Sequence, residues 1–388
     1  MEITLTRQQR KMRDRFREVA DREIAPHADQ FDKDENIPAD FLKQLASKRL
    51  FGGLIPKQRG GCGWDMVTYG LFCEEIGRAS ASLLSMLTVH NMVSWAIMKW
   101  GSLDQQAYWL PKLAAGEIMG GFALTEPQFG SDAKNISTEA AVCEGGYQIS
   151  GHKKWISCGQ IANLFLVIAR CEGAPSAFLM ENACPGLTIN PTFGMLGFRA
   201  AMLSELQLNG CRIPQENLLG KIGFGFSHVA GAALDLGRYS IAWGSVGLSQ
   251  ACVQASLHYT GERVQFGTPL KEHQLIQQMI ANMIASTKAS RLLCLNAGYL
   301  KDIHDPDSIM ETAIAKYFAS TASVKAALDA VQIHGANGCS GNYPVQRYLR
   351  DAKIMEIIEG SNQIQQLLIA RNAYSHFPAM KRERIDNE

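Results

Sequence analysis

The spacing of apolar residues changes character twice along this 388-residue chain, and those two changes constrain the fold more than any other feature. From Thr6 to about Gly116 the spacing is helical. Met12, Phe16, Val19 and Ile24 recur at three- to five-residue intervals up to Pro26, where the pattern predicts a stop. Near Gly120 short β-rich runs separated by turns take over. Ala140 to Cys143 and Tyr147 to Ser150 flank Gly145-Gly146, a hairpin signal. Leu164 to Ala169 suits a buried strand, and Ser204 to Leu208 alternates ahead of a predicted turn at Asn209-Gly210. After Gly231 the helical spacing returns. Leu275, Ile276, Met279, Ile280, Met283 and Ile284 form one broad apolar stripe, and Asp307 is expected to cap a helix carrying Ile309, Ala313 and Tyr317. Short connections between such helices predict an antiparallel bundle. The expected fold class is therefore mostly α with a central β domain: an all-α domain over 1–119, a β domain over 120–230 and a helical domain over 231–388, its charged last dozen residues a tail.

Composition narrows the function. The chain is 46% apolar and 19% charged with a formal net charge of +1, so no overall electrostatic attraction draws it to nucleic acid or an anionic membrane. No apolar run approaches the roughly 18 residues of a membrane span, and the charged N-terminus does not read as a signal peptide. The ten cysteines are scattered without a Cys-x-x-Cys pair. This argues against a metal site or a disulfide framework and predicts a cytoplasmic location. His90 and Asn91, inside the apolar segment Leu83 to Trp100, are expected to be hydrogen-bonded core residues.

Two stretches carry chemistry. Phe122 to Asp132, at the helix-to-β change, supplies hydroxyls from Thr125 and Ser131 beside Gly130, which suits a loop gripping a phosphorylated cofactor; read alone it is equally a surface turn. Near the C-terminus, Glu359 follows two isoleucines and precedes Gly360-Ser361, before helical spacing resumes at Ile364 and Leu367. Desolvation there would raise the carboxyl pKa and make a better proton acceptor; the alternative is a capping or solvated loop residue.

These stretches occur in a recognisable order. Phe122 to Asp132, Gly151-His152-Lys153-Lys154-Trp155-Ile156-Ser157, Leu234-Asp235-Leu236-Gly237-Arg238, Arg263 to Leu270 with Gln274, Gln332-Ile333-His334-Gly335, and Arg350-Asp351-Ala352-Lys353 through Ser361 resemble the motifs of the acyl-CoA dehydrogenase family. The resemblance implies a helical domain, a barrel-like middle β domain and a C-terminal four-helix bundle, assembled as a homo-oligomer, tetramer or dimer. It implies FAD as cofactor. Phe122, Leu124, Thr125 and Ser131 would contact flavin and pyrophosphate, and Trp155, Ile156 and Ser157 the ring. Arg263, Gln274, Gln332 and Gly335 would bind the adenine dinucleotide portion across a subunit interface, with Ser361 and Gln363 beside the base. It also implies Glu359 as general base, with Ser131, Asp235, Arg238 and Gly360 at the substrate and an electron-accepting flavoprotein or other acceptor as partner.

Some family branches carry the base next to the arginine matching Arg238. Here that position is Gly237, which leaves Glu359 as the matching carboxylate. The chain departs from the family at Ile358, where tyrosine is common, at Ala336, where a second glycine is usual, and at Trp243, which either shortens the acyl pocket or packs in the core. Ile241 to Gly247, Gly197 to Ala201 and Lys353 to Ser361 are similar to enzymes that oxidise small acyl groups on an acyl carrier protein for hydroxymalonyl or methoxymalonyl polyketide extender units. The alternatives are a catabolic short-chain acyl-CoA dehydrogenase, a non-catalytic flavin-binding homologue, and an oxygen-using oxidase.

Overall fold

A computed structural model describes residues 4–376. The N-terminal part holds six helices, α1 (Arg7–Val19), α2 (Ala25–Asp34), α3 (Ala39–Ser47), α4 (Met66–Ala79), α5 (Ala81–Trp100) and α6 (Leu103–Ala115). Thr6 opens α1 with a capping box, its hydroxyl accepting from the Gln9 amide while the Gln9 side chain accepts from the Thr6 amide. Pro26 does not end this run. It lies at the start of α2, where a missing amide costs nothing, and the chain reaches it through a π-helical turn over Ala20–Ile24. The apolar helix α5 is long enough to cross a membrane, but 89% of its most apolar window is buried inside the protein.

Eight strands follow: β1 (Gly120–Ala123), β2 (Glu139–Cys143), β3 (Gly146–Ile156), β4 (Leu164–Cys171), β5 (Ala174–Glu181), β6 (Leu187–Pro191), β7 (Ser204–Pro214) and β8 (Leu218–Leu219). The hairpin at Gly145-Gly146 is present, with β2 and β3 antiparallel and Gly145 at φ 78°. Asn209-Gly210 is not a turn. The β7 strand continues through it as a bulge, with Gly210 at φ 68° and the register to β3 shifting between Ile149 and Gly151. The sheet order is β6-β7-β3-β2-β4-β5-β8, with β1 added parallel to β4. The expected barrel-like closure is absent, and the sheet is open. Its end strands offer little to pair: β8 has two residues, and β6 ends on Pro191, which cannot donate.

The last part contains α7 (Gly231–Glu262), a small ribbon of β9 (Val264–Gln265) and β10 (Thr268–Pro269), then α8 (Gln274–Asp302), α9 (Ser308–His334), α10 (Val345–Ile357) and α11 (Asn362–His376). Helices α7 to α10 form the bundle, and α11 lies against α9. Asp307 stands at the α9 N-cap position in helical conformation without a side-chain cap bond, so the expected cap is not made. The expected tail, residues 377–388, lies outside the described residues. Helix α4 meets α7 across glycines: a Cβ on Gly247 would stand 1.9 Å from the Glu74 carbonyl oxygen. That close approach joins the N-terminal helices and the bundle into one core.

Candidate active site

Helix α10 ends at Ile357 because the next residues leave helical space. Ile358 is extended at ψ 164°, and then Glu359 at φ 56° and Gly360 at φ 83° are both left-handed. A non-glycine residue held there costs about 1–3 kcal/mol unless its surroundings fix it. Three side chains grip this loop by its carbonyls. Arg238 Nε of α7 donates to the Glu359 oxygen at 3.3 Å, Gln365 Nε2 of α11 donates to the Gly360 oxygen at 2.9 Å, and Lys316 Nζ of α9 donates to the same oxygen at 3.0 Å.

The loop aims the Glu359 carboxylate at α7. Its Oε2 is buried without a hydrogen-bond partner, directly over the bare backbone of Gly237. Met92 of α5 closes the same spot, its sulfur 2.9 Å from where a Gly237 Cβ would stand. Burial pushes the Glu359 carboxyl up to about 7, against the opposing pull of the Arg238 and Lys316 charges. A carboxylate tuned near neutrality with an unsatisfied oxygen is equipped to accept a proton.

Helix α5 connects this carboxylate to the β domain. Ser85, two turns before Met92, lies 3.2 Å from the Ser157 hydroxyl at the end of β3. Between them Val89, Met92 and Ala233 form a small apolar cluster on which Phe122 and Leu234 pack. His90 is a core residue as expected: Nδ1 accepts from the Gly120 amide and Nε2 donates to the Leu113 carbonyl, and burial lowers its pKa to about 4. Trp243 is likewise core, fully buried, with a Gly70 Cβ position only 2.3 Å from its Nε1, so the indole faces α4.

The loop after β1 is held from behind. Lys153, fully buried on β3, donates to the Leu124 carbonyl at 3.0 Å and to Glu126 Oε1 at 2.8 Å; the Lys154 amide takes the Thr125 carbonyl at 2.9 Å. Glu126 also accepts from the amides and hydroxyls of Ser137 and Thr138. Burial alone would raise Glu126, but Lys153 and these donors outweigh it and bring the carboxyl down to about 2. Burial draws Lys153 down to about 8, resisted by Glu126. The carbonyls of Leu124 and Thr125 thus point inward, and Gly130 and Ser131 stay in the open. Trp155 adopts φ 61° and is 46% exposed, a strained backbone presenting an aromatic ring to the surface with the Lys154 ammonium 4.6 Å from its centroid. Hydroxyl-bearing loops beside an exposed indole and the Ser157 hydroxyl fit a flat aromatic cofactor with a phosphate tail.

The structure brings Glu359, Gly360, Ser361 and Arg238 together, with Phe122 and Ser157 joined to them through α5. Ile156 is buried in the sheet core, while Gln363 is exposed at the start of α11. Asp235 is engaged by Lys301 of α8, with its Oδ1 buried and unpartnered. Arg263, Gln274, Gln332 and Gly335 are exposed at the other end of the bundle, where Tyr259 accepts from the Arg263 amide and stacks on His334 at 4.2 Å. From Arg238 to Arg263 along α7 is roughly 37 Å, so one chain does not bring those four to Glu359. Sequence reasoning missed Ser85, Met92, Lys316 and Gln365. Lys316 had a signal: a lone charge in a stripe of small residues, Ala319, Ser320 and Ser323, at helical spacing.

Three domain signatures account for nearly the whole chain. The acyl-CoA dehydrogenase N-terminal domain matches residues 6–117, the middle domain 121–211 and the C-terminal domain 223–374. The chain belongs to the acyl-CoA dehydrogenase family. It is 39% identical over 375 residues to an acyl-CoA dehydrogenase of Bacillus subtilis, covering 95% of this chain and 98% of the relative. It is 36% identical to the human mitochondrial short-chain specific acyl-CoA dehydrogenase, covering 91% and 87%. Among solved structures, butyryl-CoA dehydrogenase from Megasphaera elsdenii matches with TM-score 0.93 at 30% identity, covering 96% of this chain and all of that one. A glutaryl-CoA dehydrogenase from Mycobacterium smegmatis in complex with FADH2 matches with TM-score 0.91 at 26% identity, covering 96% and 95%. FkbI, for biosynthesis of the methoxymalonyl extender unit of the Fk520 polyketide, matches with TM-score 0.86 at 27% identity, covering 94% and 99%.

Proposed function

We propose that this chain oxidises a short acyl thioester at its α and β carbons, with Glu359 as the base that removes the α proton. The observation that carries the reading is the buried, unpartnered Oε2 of Glu359, tuned to about 7 and pinned by its own carbonyl to Arg238. The enzyme is an FAD-dependent oxidoreductase acting on CH–CH groups. Bound FAD would supply the electron acceptor for the hydride that leaves the β carbon. Phe122, Thr125, Ser131, Trp155 and Ser157 would hold it from the β side, with Leu124 and Ile156 packed behind them, and Ser361 and Gln363 from the bundle. Arg263, Gln274, Gln332 and Gly335 would hold the adenine portion of a neighbouring subunit's cofactor, a role consistent with their distance from Glu359.

The α proton is weakly acidic, so the thioester oxygen must be polarised while Glu359 attacks. In this reading its own backbone amide donates there, supported by the grip on the Glu359 and Gly360 carbonyls. Ser131, Asp235, Arg238 and Gly360 line the thioester's path. Burial of the carboxylate keeps water from competing for it. The divisions near residues 120 and 231 serve as the domain boundaries, and the ten free cysteines fit a reducing cytoplasm.

The handle on the acyl group is carrier protein or CoA. The similarity to FkbI supports an acyl carrier protein in extender-unit biosynthesis, and the higher identity to acyl-CoA dehydrogenases supports catabolic acyl-CoA oxidation. Both predict a yellow protein that passes its electrons to a flavoprotein or other acceptor. Anaerobic mixing with butyryl-CoA and with glyceryl-loaded acyl carrier protein separates them: the true substrate bleaches the flavin, and bleaching by butyryl-CoA alone refutes the carrier reading. Glu359→Gln should retain FAD and lose activity by roughly 10²- to 10⁴-fold. Near-normal turnover would rule the base assignment out.

A further inference from the structure

Lys316 is a buried cation outside the sequence motifs, and beyond its grip on the Gly360 carbonyl its charge has no role in the chemistry described so far. It sits fully buried on α9, and its three N–H donors are all satisfied: the Glu356 carbonyl at 3.1 Å, the Gly360 carbonyl at 3.0 Å and Asn362 Oδ1 at 2.9 Å. Asn362 is itself fixed, its Oδ1 accepting from Ser320 at 2.9 Å and its Nδ2 donating to Thr321 at 3.1 Å. All three acceptors are neutral, so no carboxylate touches the ammonium. A buried cation without a contacting anion is costly unless a charge close by compensates it. The charges that act on it are Glu359 and Glu356, from α10 and the loop after it, and Arg238 from α7; Asp235, held by Lys301 of α8, acts in turn on Arg238, and the neighbouring part of α11 contributes the neutral Asn362.

We propose that Lys316 is the positioning residue of the catalytic loop: it pins the chain on both sides of Glu359, and its ammonium, when protonated, favours the ionised carboxylate. The geometry carries this. The clamped carbonyls belong to residues 356 and 360, so the ammonium spans the segment in which Glu359 takes its strained left-handed conformation. It also gives the last turn of α10 a cation, where the helix dipole favours one. Burial drives the lysine down to about 7 and the glutamate up to about 7, and each charge opposes the other's shift. A structural clamp alone would need only the N–H donors; a tuning role needs the charge.

The inference rests on Glu359 being the base for its catalytic meaning, but its test does not. The test uses FAD-loaded protein without substrate and reads the carboxyl stretch of Glu359 by infrared spectroscopy across pH, with the band assigned by its loss in Glu359→Gln. Lys316→Gln keeps N–H donors and removes the charge; Lys316→Arg keeps the charge. The expected result is that Lys316→Gln raises the Glu359 midpoint by about one pH unit or more, a tenfold loss of ionised carboxylate on the acid side. Lys316→Arg should leave the midpoint in place or lower it. A folded Lys316→Gln protein with an unmoved midpoint overturns the proposal. So does a midpoint raised by Lys316→Arg, which decides the matter if the neutral variant fails to fold. Should Glu359→Gln keep full turnover, the base assignment falls while the infrared midpoints still judge Lys316.

Discussion

A Cβ on Gly237 would stand 2.2 Å from Oε2 of Glu359. Two residues 122 positions apart therefore share one space, and only one of them can hold a side chain there. In an ordinary helix interior Gly→Ala gains about 1 kcal/mol, but here the methyl must displace the carboxylate. Gly237→Ala should consequently lower activity while FAD remains bound. Moving the carboxylate to the helix, Gly237→Glu with Glu359→Gly, should recover about tenfold or more over Glu359→Gly alone, because the acid returns to the same volume. Steady-state rates of the single and double variants check this; no recovery would mean that occupancy of the volume is not enough.

As the proposed base, Glu359 should make both rate and stability depend on pH. Its folded pKa, about 7, lies above the ordinary carboxylate value of 4.5, so the folded protein binds the extra proton between those values. Stability from this group is then greatest at low pH and is lost as pH rises through that window. The loss is at most about 3 kcal/mol on the scale of 1.36 kcal/mol per unit. Activity moves the opposite way, rising towards pH 7 as the base ionises. Thermal melts of wild type and Glu359→Gln at pH 5 and pH 8 should show the variant gaining stability only at the higher pH.

Lys153 holds the loop after β1 from inside the sheet. Lys153→Met leaves Glu126 buried without its cation, a loss on the order of 3–5 kcal/mol. The Leu124 carbonyl is freed at the same time, so FAD content measured by flavin absorbance should fall together with the melting temperature. Full flavin occupancy in a destabilised variant would separate the ion pair from the loop.

Trp243 tests the core against the pocket. Trp243→Ala should cost about 3–5 kcal/mol through the cavity it leaves against Gly70. Because the indole faces α4, relative rates on C4 and longer acyl thioesters should stay as they are. A shift towards longer chains would return Trp243 to the pocket wall.

Much of the arrangement was legible in the sequence because periodicity reports which face a segment buries. The helix–strand–helix order, the hairpin at Gly145-Gly146 and the opening of α1 at Thr6 followed from local rules. Local rules failed where a tertiary contact decided the outcome. Pro26 and Gly210 both carry breaker chemistry, but the chain uses one to start a helix and the other to bend a continuing strand. Glu359 and Gly237 were legible as a pair of alternatives, whereas their shared space was not, since it depends on how α10 crosses α7. Lys316 could be read as anomalous among small residues, but its acceptors are carbonyls, which look the same in every sequence.

Helix α7 carries Arg238 at one end of the bundle and Arg263 at the other. If each assembled site draws on one end from each of two chains, a lesion at Glu359 and a lesion at Arg263 fall in different halves of the machinery. Co-expression of the two defective proteins would then rebuild intact sites in mixed assemblies that neither forms alone. In such assemblies, inheritance of two broken copies would not abolish activity, and the length of a single helix would decide which pairs of defects rescue one another.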